Sequence, residues 1–460
     1  MIDLLEQWNT WLYGYVWGPP MIVLLVGTGI VLTVLTRGIQ FRRFGTVLIE
    51  VLGRRRSGGD GTVTSFQAVA TALASTVGTG NIVGVATAVV LGGPGALLWL
   101  WVSGLFGMCT KFAEIVVALH YRERDASGIF RGGAMYVLNT GLGLPWLGSL
   151  FALLTAVAAL GIGNMVQANS LADSLNASLG VAPEVVGLAL AAITGLVILG
   201  GIRRIGEVAQ VLVPFMTIVY LGGATTILLL HLSEIPAAIG LVFSSAFTGT
   251  AATGGFAGST VALALRHGIA RGLFSNEAGL GSAAMVHSAA ITDHPVRQGL
   301  YGVFEVFVDT LLVCSVTGLV LIVTGVWNSG ANGAVLSGEA FRQGLPGEWG
   351  DMIVTTSIVL FGFSTVIGWS YYGETAIVYL AGTRAAIPYR VAWLFFIYLG
   401  ATGSLQLIWS VADTLNGLMA IPNLIGVLFS IPLLLRLQRE FFETKPASIN
   451  GKSVSSVNRF

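Results

Sequence analysis

The chain has 460 residues, of which 54% are hydrophobic and only 10% charged, and its mean hydropathy is +0.82. Soluble domains carry roughly 25% charged residues, so this composition excludes an ordinary soluble domain and leaves a polytopic membrane protein. A formal net charge of +1 argues against a nucleic-acid partner, because such proteins concentrate basic charge on one face.

Apolar windows of about 20 residues, enough to cross some 30 Å of hydrocarbon, recur along the whole chain. Eleven are expected, near 20–37, 64–91, 93–120, 146–175, 185–201, 207–231, 258–292, 298–326, 351–381, 388–407 and 409–436. The fold class that follows is all-α. Ahead of the first window stand Asp3 and Glu6 but no Lys or Arg, so the basic start of a cleavable signal is missing and the window is expected to remain a membrane helix.

Orientation comes from the arginines. With the amino terminus external, Arg37, Arg42, Arg43, Arg54, Arg55, Arg56, Arg122, Arg124, Arg131, Arg203, Arg204, Arg297, Arg384 and Arg390 fall in cytoplasmic loops. A tail over 441–460 adds more, whereas Arg342 is alone in an external loop. Positive charge is retained inside, which predicts a cytoplasmic carboxyl terminus, a plasma-membrane (inner-membrane) location and an odd number of spans. The basic linker 37–56 is expected on the inner membrane surface. Cys109 and Cys314, the two cysteines, both fall within spans and support neither a disulfide framework nor a metal cluster.

Two windows break the pattern. "STVGTGNIVG" (75–84) holds three glycines with Ser75, Thr76, Thr79 and Asn81, and "GLFSNEAGLGSA" (272–283) holds Gly272, Gly279 and Gly281 with Ser275, Asn276 and Glu277. Glycine costs about 1 kcal/mol in a helix relative to alanine, and Ser and Thr compete for backbone hydrogen bonds. Unwound backbone survives at membrane depth only where it lines a protein-enclosed cavity. Without the first span, the remaining ten divide into repeats over 64–231 and 258–436, each beginning with an interrupted span. Paired broken helices in two inverted repeats point to a transporter site near the bilayer midplane.

Each break offers carbonyls to a cation and N–H groups to an anion. In the first, carbonyls near Leu73 to Val77 suit Na⁺, and N–H groups from Gly78 to Ile82 suit a carboxylate. Asn164 and Gln167 on the fourth span and Ser364, Thr365 and Trp369 on the ninth are expected to complete the walls. Compact, glycine-lined walls predict a small neutral amino acid. Lys111 and Glu114, at i, i+3, are expected to form an ion pair, and Glu277 to brace the second break through backbone N–H groups. Arg266 and Arg271 are expected in a hydrated external vestibule, while Asp309, Glu374 and Asp413 receive no role. No HExxH, GxSxG or paired catalytic acid occurs in the spans, which argues against an enzyme.

"FQAVATALASTVGTGNIVGVATAVVLGGPGALLWLWVSGLFGMCTKFAEIVVALHYR" (66–122) and "RGLFSNEAGLGSAAMVHSAA" (271–290), with "FSTVIGWSYYGE" (363–374) and "NGLMAIPNL" (416–424), resemble the alanine or glycine:cation symporter family. The likeness runs from about residue 10 to 440. It implies the LeuT-type fold of the amino acid, polyamine and organocation superfamily, a 5+5 inverted repeat with one extra leading helix in a single domain over 1–440. It also implies sodium-coupled uptake of alanine or glycine by alternating access, with no cofactor beyond Na⁺ as coupling ion.

By that resemblance the substrate residues are Thr76, Gly78, Thr79, Gly80, Asn81, Gln167, Phe274, Ser275 and Trp369. A cation site would use the carbonyls of Ala74 and Val77 with Ser364 and Thr365, and Asn81 could serve either ion or substrate. The competing reading is an amino acid-gated channel or substrate-sensing receptor on the same fold, which the short extramembrane segments disfavour.

Overall fold

The computed structural model describes residues 2–53, 58–250, 258–347, 349–403 and 406–443. Arg54, Arg55, Arg56 and the basic residues of the tail lie outside the described residues. Among those described, eight helices are long and apolar enough to cross a membrane, and nine when the bent pair Ser65–Thr76 and Thr79–Gly92 counts as one span. Pro183–Ile198 and Val261–Asn276, each of 16 residues, stand at the positions of two more of the expected eleven. Unanticipated helices are Ile2–Val16, ahead of the first expected span, and Ile235–Thr248, Gly333–Gly344 and Ile431–Glu443 between or after spans.

The start signals are local. Pro19, Pro145, Pro183 and Pro295 each open a helix, where a missing N–H costs nothing. Thr64 caps Ser65–Thr76 with a reciprocal box: its hydroxyl accepts from the Gln67 N–H (3.1 Å), and the Gln67 side chain accepts from the Thr64 N–H (3.0 Å).

The helix Ala96–His120 is the axis of the bundle, packed against Val261–Asn276 and Pro295–Val306. Lipid supplies little hydrophobic drive between helices, so close approach rests on small residues. A Cβ on Gly272 would stand 2.0 Å from Ser103 Oγ, and one on Gly302 would stand 2.3 Å from Ile115 Cδ1.

The two interrupted spans run in opposite directions. Val83–Gly92 packs against Val261–Asn276, and Ser65–Thr76 packs against Ala283–His287. The strand Val63–Thr64 pairs in parallel with Ala290–Ile291, joining the beginning of the first span to the end of the second. Arg122 secures the same face, donating to the carbonyls of Ala290 and Asp60 at 2.7 Å each. Arg297 pairs with Glu50, and Arg390 donates to the Leu199 carbonyl (3.0 Å), so the loops rich in arginine share this face. The linker beyond Arg37 folds as Ile39–Arg42, Phe44–Leu48 and Ile49–Gly53. Phe41, Ile49 and Leu52 are exposed there, as a segment lying on a membrane surface requires.

Candidate functional site

The first break begins in its own sequence. Thr71, Ser75 and Thr76 turn their hydroxyls back onto carbonyls four residues earlier, at 2.8, 3.0 and 3.1 Å, a bond that weakens and bends helices. Val77 then leaves the helix (φ −76°, ψ 85°) and Gly78 is extended. The Gly78 N–H donates to Asn81 Oδ1 at 2.9 Å, and the freed Ala74 carbonyl lies 3.3 Å from Thr365 Oγ1, whose single proton also faces the Phe361 carbonyl at 2.9 Å. Gly78 is required by proximity, since a Cβ there would lie 2.5 Å from Thr365 Oγ1. A short turn, Thr79–Asn81, leads into Val83–Gly92, and the two halves differ in direction by 59°.

The second break is built by side chains. Glu277 ends Val261–Asn276 in the left-handed region (φ 55°), and Gly279 and Gly281 follow at φ 95° and 78°, a conformation glycine adopts without strain. Trp369 Nε1 donates to Glu277 Oε1 at 2.9 Å, and the Ser282 hydroxyl donates to Oε2. Glu277 thus braces the loop through side-chain donors, not through the expected backbone N–H groups. Asn423 donates to the Gly279 carbonyl at 2.9 Å and to Glu114 Oε1.

Between the breaks lies Asp309, a residue that sequence reasoning left without a role. It sits in Phe307–Cys314, a π-helical stretch of the kind that often marks functional positions. Its carboxylate accepts from Asn81 Nδ2 (2.6 Å), Ser275 Oγ (2.9 Å) and Thr310 Oγ1 (2.8 Å). One buried acid therefore joins both interrupted spans to the next helix.

A cavity of about 280 Å³ opens beside the first break. Thr79, Gly80, Gln167 and Phe274 line its inner end with Ile162 and Val166. The Thr79 hydroxyl donates to Gln167 Oε1 (2.9 Å), and Gln167 Nε2 donates to the Ile162 carbonyl (3.2 Å). Ile162 belongs to a second π-helical stretch, Ala159–Met165. Asn81 and Ser275 face Asp309 and do not line this cavity. Trp369 lies outside the lining too, bonded to Glu277 with its Cβ 2.2 Å from where Gly163 would carry one. Asn164 donates to the Trp393 carbonyl at 2.8 Å.

Of the four cation-site residues expected from resemblance, Ala74 and Thr365 meet directly. The Val77 N–H closes the last helical bond to the Leu73 carbonyl (2.8 Å), and Ser364 Oγ donates to the Phe361 carbonyl (2.8 Å). Thr76, back-bonded to Ala72, is buried beside the break.

One expected pair is corrected. Lys111 does not pair with Glu114: its Nζ lies 3.2 Å from Glu305 Oε1, and Glu305 Oε2 lies 3.0 Å from His287 Nε2. All three side chains are fully buried. The i, i+3 spacing places Glu114 near enough, but a neighbouring helix offers Lys111 a carboxylate, while Glu114 is engaged by Asn423.

Residues 2–455 match the sodium:alanine symporter family. The chain is 47% identical over 436 residues to a protein of Methanococcus maripaludis named sodium/alanine symporter AgcS, covering 93% of this chain and 95% of that protein. It is 34% identical over 433 residues to a Bacillus subtilis protein named probable sodium/glutamine symporter GlnT, covering 94% and 89%. Among solved structures, MhsT in complex with L-phenylalanine superposes with a TM-score of 0.54 at 13% identity, over 83% of this chain and 99% of that one. A manganese transporter of Eremococcus coleocola gives 0.50 at 16% identity, over 84% and 88%. At such low identity these two structures speak for the fold alone, a LeuT-type transporter architecture. By sequence, the chain belongs to the sodium:alanine symporter family.

Proposed function

We propose that this protein carries alanine or glycine into the cell together with Na⁺ by alternating access, with the arginine-rich face cytoplasmic. The carrying observation is the break at Val77–Ile82, where the Ala74 carbonyl leaves its own helix and meets Thr365 while Thr79 and Gly80 open onto a cavity. A zwitterion needs opposite charges served within a few ångströms, and one interrupted helix supplies carbonyl and N–H ends together. The substrate assignment rests on Thr79, Gly80, Gln167 and Phe274, which line the cavity. Thr76, Gly78, Asn81, Ser275 and Trp369, expected beside them, stand outside the lining and would shape the breaks around it, with Na⁺ assigned to Ala74, Val77, Ser364 and Thr365. Asp309 adds fixed negative charge beside Asn81 and Ser275, which favours a cation there as well. Residues 64–231 and 258–436 act as the two inverted repeats, and rocking of the bundle that contains both broken spans would expose the site to either side in turn.

The test is uptake of labelled alanine and of glycine into proteoliposomes, first under an imposed Na⁺ gradient and then under a H⁺ gradient. Accumulation that follows the Na⁺ gradient is expected. Sodium-independent equilibration at channel-like rates would overturn the reading in favour of a channel.

A further inference from the structure

The helix Pro19–Leu35 turns Val31, Val34 and Leu35 outward, all three exposed, and at membrane depth such a face is covered by acyl chains. Directly beyond its end the side chains become basic. Arg37 and Arg42 are exposed and Arg43 is half-buried, and among the described residues none of the three meets a carboxylate. Phe41, Ile49 and Leu52 are exposed along the same segment. Like charges held this near to one another repel unless an anion answers them.

The position of Arg37 is costly in itself. The helix ends in a Schellman turn, with the Gly38 N–H on the Thr33 carbonyl (2.7 Å) and the Arg37 N–H on the Val34 carbonyl (3.0 Å). Arg37 thereby takes the left-handed conformation (φ 58°) that glycine adopts without strain. Among the described residues Glu277 is the other non-glycine residue in that region, and it holds the second break. Glycine would end the helix at lower cost; what arginine adds is its charge.

The helix Ile431–Glu443 closes over this segment. Gln438 Nε2 donates to the Thr36 carbonyl (3.2 Å), and the Arg43 guanidinium carbon lies 4.4 Å from the centre of the Phe442 ring. Leu434 and Leu437 are buried beneath the helix. Its own arginines already have partners: Arg436 faces Glu440 (3.7 Å), and Arg439 Nε donates to the Leu435 carbonyl (3.4 Å). The unanswered charge stays with the linker.

We propose that Arg37, Arg42 and Arg43 form a binding surface for an anionic phospholipid, with the arginines on the headgroup phosphate and Phe41, Ile49 and Leu52 against the acyl chains. Guanidinium matches phosphate oxygens in pairs, and basic clusters just past a membrane helix are where anionic headgroups collect. A soluble phosphate would meet the arginines but leave the three apolar side chains in water, which favours the lipid. Occupancy relieves the repulsion and holds the linker beneath the carboxyl-terminal helix. This surface is separate from the amino-acid cavity, and its test is independent of the substrate carried.

The experiment is thermal unfolding of the purified full-length protein in a neutral detergent, titrated with phosphatidylglycerol or with phosphatidylcholine. Phosphatidylglycerol is expected to raise the thermal midpoint, and phosphatidylcholine to leave it unchanged. Arg37→Gln combined with Arg42→Gln should need roughly thirtyfold more phosphatidylglycerol for the half-maximal rise, about fivefold for each arginine. Arg37→Gly removes charge and strain together, so it should start from a midpoint no lower than the wild type and still need about fivefold more lipid. Arg203→Gln combined with Arg204→Gln, which removes two exposed arginines at the start of Gly201–Leu230, should titrate as the wild type does. An equal response to both lipids, an unchanged lipid requirement in the Arg37 variants, or an equal loss in the Arg203 and Arg204 variant would overturn the surface. Glycerol phosphate alone should have no effect, and a rise with it as large as with the lipid would overturn the lipid as occupant.

Discussion

Asn81 and Asp309 are joined at 2.6 Å across 228 residues of sequence, and the same asparagine caps the Gly78 N–H at 2.9 Å. The shape of the first break and the position of the buried acid are therefore linked through one side chain. Asn81→Ala should raise the Na⁺ concentration for half-maximal uptake, as should Thr365→Ala, which removes the hydroxyl on the Ala74 carbonyl. Asp309→Asn keeps the shape and deletes the charge, and a shift of roughly tenfold is expected. Sodium titration of uptake is the measurement, and unchanged dependence in all three would remove the cation assignment.

Gln167 accepts from Thr79 at the inner end of the cavity. Gln167→Ala takes away that acceptor and a wall, and the alanine KM should rise between about twofold and about twelvefold, the range for a hydrogen bond of about 0.5–1.5 kcal/mol. Trp369→Phe should act differently. It removes the donor on Glu277, so the expected first effect is a lower thermal midpoint in detergent, with a smaller change in KM.

Lys111 is the buried cation facing Glu305. Lys111→Met leaves that carboxylate in a desolvated site with His287 Nε2 (3.0 Å) as its remaining side-chain contact, a loss of about 3–5 kcal/mol for a broken buried pair. The double variant Lys111→Met with Glu305→Gln should recover most of the lost stability, because the stranded charge is gone. Thermal unfolding of the single and double variants reads both, and a double variant no better than the single would count against the pairing.

Asp125 sits in the loop between Glu123–Arg124 and Phe130–Arg131, on the arginine-rich face. Partial burial pushes its carboxyl up, but Arg131 Nε at 2.6 Å, the Ser127 hydroxyl and the Ile129 N–H outweigh this and hold it below the usual range. A depressed carboxylate contributes stability that is present above its unfolded value, about 3.9, and is lost as pH falls through the lowered folded value. The gap in thermal midpoint between wild type and Asp125→Asn should therefore shrink as pH falls from neutrality to below about 3.9. A gap that stays constant over that window would show that the charge is not what stabilises the loop.

The interruptions were legible because their cause is local: glycines and back-bonding hydroxyls in an apolar run weaken a helix wherever they stand. Asp309 was not legible in the same way. Its partners Asn81 and Ser275 are 228 and 34 residues away, and nothing in its own apolar window announces them. Lys111 shows the opposite hazard, a plausible neighbour at i, i+3 displaced by a better-placed carboxylate on another helix. The helix Ile2–Val16 escaped hydropathy because Asp3, Glu6 and Asn9 interrupt its apolar residues, yet it supplies Tyr13 to the cavity. The polar face of the fourth span gave Gln167 and family resemblance gave Phe274, and their meeting at one hollow required the three-dimensional path of both spans.

The two-residue clasp between Val63–Thr64 and Ala290–Ile291 has a mechanical meaning. It buttons the lower leaves of the two interrupted spans to each other, and Ser65 Oγ adds a further stitch to the Ile291 carbonyl at 2.9 Å. Neither leaf can swing outward alone without tearing that seam. Under the proposed alternating access, the end that bears the arginine-rich face is expected to turn as a single panel, carrying the floor of the chamber with it.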